Sequence, residues 1–184
     1  VGDRIGAVLF NDQQVKEFRP ARSDKKVMGW LGDLVDLNTH LSVNTGIESN
    51  PAALEAALKA CQRMISHDYL VILVSDFYGW NDACLQGIRS IGQHNDIICT
   101  MIFDPLERDI SRADKLVVSD GRYQLEIDPA HQGLGERFEA SFQSSFNKVQ
   151  SDLMRHQIPV IQVHTATEAI NQLRQQLGGQ RVLR

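Results

Sequence analysis

The chain has 184 residues, 42% hydrophobic and 23% charged, with a formal net charge of -4. Such a chain is long enough to bury a core and is expected to form one domain over residues 1–184. Its Lys and Arg are spread rather than clustered, which argues against a nucleic-acid surface, and no apolar run reaches the ~20 residues of a membrane span.

"RIGAVLF", residues 4–10, is predicted as a strand, "NDQQ" as a turn and "VKEFRP" as a second strand. The two must be antiparallel, because so short a link cannot make a crossover. A helix follows from Asp24, with Val27, Trp30, Leu31, Leu34 and Val35 at three- and four-residue spacing. The polar loop "SVNTGIESNP" ends in Pro51, which suits the first turn of a helix carrying Leu54, Leu58, Cys61 and Ile65 on one face. Residues 70–74 are an unbroken apolar strand that stops at Ser75-Asp76. A helix with Leu85, Ile88 and Ile91 leads to a second apolar strand at 97–103, closed by Asp104-Pro105.

"KLVVSDGRYQLEID" reads as two short strands around an Asp120-Gly121 turn. A long helix begins near His131 and carries Leu134, Phe138, Phe142, Phe146, Val149 and Leu153. "PVIQVHT" is the last strand, centred on 160–163, and a helix with Ile170, Leu173 and Leu177 ends the pattern. Apolar strands buried on both faces and alternating with amphipathic helices mean an α/β fold: an open, mainly parallel sheet with helices on both faces. Ligands in such sheets sit beyond the carboxyl ends of the strands. Ser75, Asp76, Asp104, Thr165 and Thr167 collect there.

The usual catalytic signatures are missing. No GxGxxG follows a strand, and there is no GxxxxGK[ST] and no GxSxG. The last strand ends in His164-Thr165, without the Lys of a phospho-receiver. His40, His67, His94, His131, His156 and His164 are scattered off metal-ligand spacing, and each is expected in solvent or with a satisfied ring. Cys61, Cys84 and Cys99 lie far apart in apolar segments, as buried reduced thiols do. Asp76 has two readings: a turn cap accepting backbone N–H groups, which the spacing favours, or an oxygen ligand to a divalent cation.

Taken in order, "GDRIGAVLF" with its hairpin, "ALEAAL", "LVILVSDF", "HNDIICTMIFDPLE", "DGRYQLEID" and "VHTAT" resemble the family numbered 58 among domains of unknown function, over nearly the whole chain. That family is similar to von Willebrand factor A domains. "SDF" stands where A domains carry the "TDG" acid of their metal-ion-dependent adhesion site. The resemblance implies a bacterial, cytoplasmic, Mg²⁺-centred protein-binding surface without enzymatic activity, often genetically tied to MoxR-type AAA+ ATPases and compatible with a membrane anchor upstream. Two departures matter. The chain holds no DxSxS and opens at Val1 with what would be the second strand, so it reads as an A-like domain lacking its first strand. Ser49, ahead of "NPAALEAAL", is the nearest match by register to the metal-site threonine, with Thr45 a poorer one. The implied metal set, Asp76 with Ser49, is incomplete or vestigial: no cofactor is expected in this chain, and Mg²⁺ only in a full-length protein.

In A domains the first strand lies between the second strand and the one ending at the metal-site acid. Its absence would leave 4–10 and 70–74 with unpaired edges, and buried unpaired groups cost about 1–3 kcal/mol each. Direct pairing of those two strands is therefore expected, with homodimerisation through a residual apolar patch. The leading functional expectation is a non-enzymatic protein-interaction module working with an AAA+ ATPase in assembly or maturation of protein complexes. The alternative is a metal-dependent hydrolase or phosphotransfer enzyme using Asp76 and Asp104, which would need a deep pocket with convergent polar groups.

Overall fold

The computed structural model describes residues 3–39, 49–108, 116–119, 124–127 and 134–178. In chain order the elements are β1 (Ile5–Phe10), β2 (Val15–Ala21), α1 (Asp24–Thr39), α2 (Ala53–Met64), β3 (Leu70–Ser75), α3 (Asp82–Gly92), β4 (Asp96–Phe103), α4 (Pro105–Arg108), β5 (Leu116–Ser119), β6 (Gln124–Ile127), α5 (Leu134–Arg155), β7 (Val160–His164) and α6 (Ala169–Gly178). The architecture is α/β, as the alternation of periods requires. The Asp120-Gly121 turn, the helix start near His131, His40 and Thr45 lie outside the described residues. The structure forms two compact units, one built on β1, β2 and α1–α3, the other on β3, β4, β7 and α4–α6.

In the first unit β1 and β2 pair antiparallel, with Phe10 opposite Val15 beside the turn. The Asn11 carboxamide shapes that turn by accepting the N–H groups of Gln13 and Gln14, both at 3.0 Å. β2 runs through Pro20, as the "VKEFRP" reading expects, and ends at Ala21. A register shift between Ile5 and Ala7 admits the proline, whose ring crowds Gly6 so closely that a Cβ there would lie 3.0 Å from Pro20 Cγ. α2 buries Leu54, Ala57, Leu58 and Ala60 against this hairpin and α3. α3 answers with Cys84, Ile88 and Ile91, and its free N-terminal N–H at Cys84 is capped by Asn81 Oδ1 at 2.9 Å. The apolar stripe expected on α1 meets less surface than its spacing suggests. Only Leu37 is buried, while Met28, Leu31, Leu34 and Val35 stay exposed. The helix touches the hairpin through Trp30 on Phe18, at a centroid distance of 5.7 Å, and through Lys16–Asp33 at 2.9 Å.

The second unit is a parallel sheet in the order β3-β4-β7. β4 is its centre, and Ile97, Cys99 and Met101 are buried there. Burial pushes the Cys99 thiol up to about 12, and also raises Cys61 and Cys84, so all three stay protonated and free at neutral pH. α5 buries Val149 and Leu153, and against Phe103 of β4 it sets Phe142, tilted, and Phe146, edge-on, with centroids 6.1 and 5.8 Å away. α6 closes the outer edge of β7 with two carboxamides one turn apart. Gln172 accepts the His164 N–H at 3.0 Å and donates to its carbonyl at 2.8 Å. Gln176 does the same for Gln162, at 3.1 and 2.5 Å. Each amide imitates a neighbouring strand. β5 and β6 form a separate two-stranded sheet.

Two expectations are corrected. Among the described residues the expected direct pairing of β1 with β3 is not found: β1 is hydrogen-bonded to β2, and β3 to β4. Nor is β3 buried on both faces, for Leu70, Ile72 and Val74 are 59%, 59% and 51% exposed. The second fact explains the first. The cost that argued for direct pairing applies to buried N–H and C=O groups, and half of the β3 residues are exposed.

Leu153 has no exposed surface, while its helical neighbour Met154 is 63% exposed. Leu153→Ala is expected to lower the urea-unfolding free energy by about 2–5 kcal/mol. Met154→Ala should change it by less than about 0.5 kcal/mol.

Candidate functional site

The parallel register decides which side chains meet. Phe103 pairs with His164, so the next residues, Asp104 and Thr165, leave the sheet side by side. Thr165 donates its N–H to the Phe103 carbonyl at 3.2 Å and its hydroxyl to Asp104 Oδ2 at 2.6 Å. Ser75 pairs with Met101, so Asp76 leaves its strand two rungs before Asp104 does.

Asp104 is also the N-cap of α4. Its Oδ1 accepts the Leu106 N–H at 2.8 Å, Glu107 Oε2 accepts the Asp104 N–H at 3.1 Å, and Pro105 takes the first helical position. This is a capping box, and it is written in the sequence as Asp-Pro-x-Glu. The Thr165 hydroxyl and then the Leu106 N–H hold the Asp104 carboxyl below the ordinary aspartate range.

The loop after β3 is built by two consecutive side-chain turns. Ser75 Oγ accepts the Phe77 N–H at 3.0 Å, and Asp76 Oδ1 accepts the Tyr78 N–H at 2.9 Å. Between them Phe77 has φ 60, a left-handed conformation unfavourable for a bulky residue, yet its side chain is buried. Burial of the ring and the two turn bonds hold it there. Tyr78 projects outward, 55% exposed. In the first unit Gly79 follows with φ 74, and a Cβ there would collide with the Pro51 carbonyl, so only glycine fits.

Of the residues singled out from sequence, Ser75, Asp76, Asp104 and Thr165 belong to the strand ends of one unit, and Asp104 and Thr165 are bonded. Thr167 accepts from Gln172 Nε2 at 2.9 Å, which ties it to the α6 clamp. Ser49 belongs to the first unit and is exposed; its neighbour Asn50 is anchored to Asp12 through two hydrogen bonds of 2.9 and 3.2 Å. Glu107, Gln172 and Gln176 went unnoticed in the sequence, though Asp-Pro-x-Glu was there to be read. His164 departs from expectation: its ring lies against Phe103, and its buried Nδ1 has no hydrogen-bond partner among the described residues.

The donor set at these strand ends does not suit Mg²⁺, which demands near-octahedral oxygen coordination. Both carboxylates already accept loop N–H groups. Among the described residues no group of three His, Cys, Asp or Glu could hold a metal ion. A cavity of about 220 Å³ lies nearby, lined by Phe103, Arg108, Phe142, Phe146 and Gln162 among others, and neither Asp76 nor Asp104 lines it.

Residues 1–147 match the family model described as "Protein of unknown function DUF58", and the chain belongs to that family. No curated protein and no solved structure matches it.

If Asp76 serves as a turn acceptor, charge is dispensable. Asp76→Asn should leave stability within about 0.5 kcal/mol of the parent, and Asp76→Ala should lose about 1 kcal/mol, both by urea denaturation. Thr165→Val removes the larger cause of the Asp104 shift. Its carboxyl, followed by carbon-detected NMR titration, should move up toward the ordinary aspartate range. A depressed folded value stabilises above the unfolded value and is lost as pH falls through the folded one. The variant should therefore show a shallower stability loss on acidification below the ordinary aspartate range.

Proposed function

We propose that this chain is a non-enzymatic protein-interaction module whose contact surface is the rim formed by the loops after β3, β4 and β7, and that its partner is a MoxR-type AAA+ ATPase. The observation that carries this reading is the use made of the acids. Asp76 and Asp104 each spend an oxygen on a loop N–H, and Asp104 spends the other on Thr165. Carboxylates used this way fix the shape of exposed loops. Neither lines the cavity beside Phe103, and the side chains described as bonded to them are the hydroxyls of Ser75 and Thr165. Tyr78 and Leu106, both exposed, stand beside the two acids and supply apolar contact area on the rim. The hydrolase reading needs Asp76 and Asp104 to share a metal or a substrate pocket, and neither lines the cavity near them.

Biolayer interferometry with a purified MoxR-type ATPase tests the proposal. Saturable binding is expected, insensitive to chelator. Tyr78→Ala and Thr165→Val should each weaken it roughly tenfold, about 1.4 kcal/mol, with little change in thermal unfolding. Unchanged affinity in both variants would contradict the proposal. So would a Mg²⁺-dependent phosphatase activity abolished by Asp76→Ala and by Asp104→Ala.

A further inference from the structure

Along α5 the packing is uneven. Val149 and Leu153 are buried, but nearer the N-terminus Phe142 and Phe146 are only half-buried, and so is Phe103 of β4. The three rings form a triangle with centroid distances of 6.1, 5.8 and 5.8 Å, and they share the wall of the 220 Å³ cavity. The rest of that wall is polar: Arg108 at the end of α4, and the carboxamides of Gln143, Asn147, Gln150 and Gln162. All of these residues belong to the second unit. Arg108 is the one charged residue in the lining, and no acid answers it there. Lys148, the neighbouring cation on α5, is paired with Asp152 at 2.9 Å, whereas Arg108 is exposed and has no ion-pair partner among the described residues. Gln143 Nε2 donates to Asn147 Oδ1 at 2.8 Å. That bond occupies the Asn147 acceptor, so what Asn147 still offers is N–H.

We infer that this cavity binds a small monocarboxylate built on a single flat ring, its carboxylate on Arg108 and its ring against Phe103, Phe142 and Phe146. Charge selects an anion, because the lining carries one positive group and no negative one. A guanidinium fork matches a carboxylate with two parallel N–H bonds. Three mutually tilted phenylalanines present both edges and faces, which is what a further ring packs against. Size sets the limit. At ~30 Å³ per water the cavity would hold about seven, room for one ring and a small substituent, and below the ~300–1,000 Å³ of sites for larger ligands. The carboxamides add neutral hydrogen bonds that orient the ligand without changing the charge it must carry. The site stands apart from the proposed rim function, since none of Asp76, Tyr78, Leu106 and Thr165 lines it.

Proton–nitrogen NMR titration with benzoate, benzamide and acetate tests it. Benzoate should give saturable shifts centred on Phe103, Phe142, Phe146 and Gln162. Benzamide keeps the ring without the charge and acetate the charge without the ring, and each should bind at least about tenfold more weakly. Arg108→Gln should bring benzoate down to the level of benzamide and leave benzamide unchanged, a pattern that a merely structural effect would not produce. Asn147 is exposed, so Asn147→Phe should melt close to the parent temperature while filling the cavity and excluding both ring compounds. Benzoate shifts that fail to saturate, or that map away from the cavity, overturn the inference. So does benzamide binding as tightly as benzoate. An Arg108→Gln variant that holds benzoate as well as the parent does overturns it too.

Discussion

The second unit depends on β4 being hydrogen-bonded on both sides, to β3 through Leu70–Asp96 up to Ser75–Met101 and to β7 through Cys99–Val160 up to Phe103–His164. A central parallel strand needs cover on both faces: Ile97, Cys99 and Met101 are buried on one, and on the other Thr100 is buried and Ile98 and Ile102 are half-buried. Because neighbouring strands run in one direction, all three release their chains at the same end. The offset between the two ladders then determines which loops meet: Asp104 adjoins Thr165, and Asp76 emerges two rungs earlier. No residue at the rim chooses its neighbour; the ladder on either side of β4 does.

What the rim residues contribute is the shape of the loops. Serine, threonine and aspartate compete well for nearby backbone N–H groups, and Ser75, Asp76 and Asp104 do so in succession. The left-handed Phe77 and the outward Tyr78 follow from those bonds. A carboxylate used this way needs neither metal nor substrate to justify its position at a strand end, and the Thr165 and Leu106 bonds hold the Asp104 carboxyl below the ordinary aspartate range.

Much of this was legible in the sequence. Strand and helix positions followed from period, because a β-branched apolar run such as 97–103 and an i, i+3, i+4 pattern such as that of α2 each fit only one backbone geometry. The gathering of Asp76, Asp104 and Thr165 at strand ends followed from parallel topology. Three things were not legible. Period shows that a face is apolar, not that something covers it, so the exposure of β3 and of Met28 and Val35 on α1 could not be read. The sealing of β7 by Gln172 and Gln176 joins residues 8 and 14 positions apart, and polar side chains on a terminal helix look like solvent-facing ones. The metal reading of Asp76 with Ser49 came from a resemblance and not from spacing, whereas the turn role of Asp76 Oδ1, which accepts the Tyr78 N–H, is local.

The most direct test of this account is amide hydrogen exchange at Tyr78 and Leu106, measured by NMR with and without Mg²⁺. The Tyr78 N–H lies in an exposed loop and the Leu106 N–H in the first turn of α4, and each is bonded to a carboxylate, Asp76 and Asp104 respectively. The account predicts slowed exchange at both, lost at Tyr78 in Asp76→Ala and at Leu106 in Asp104→Ala, and unaffected by Mg²⁺. Exchange at the rate of free loop amides, or protection of Tyr78 that Mg²⁺ releases, would contradict it, because the carboxylates would then be free for another ligand.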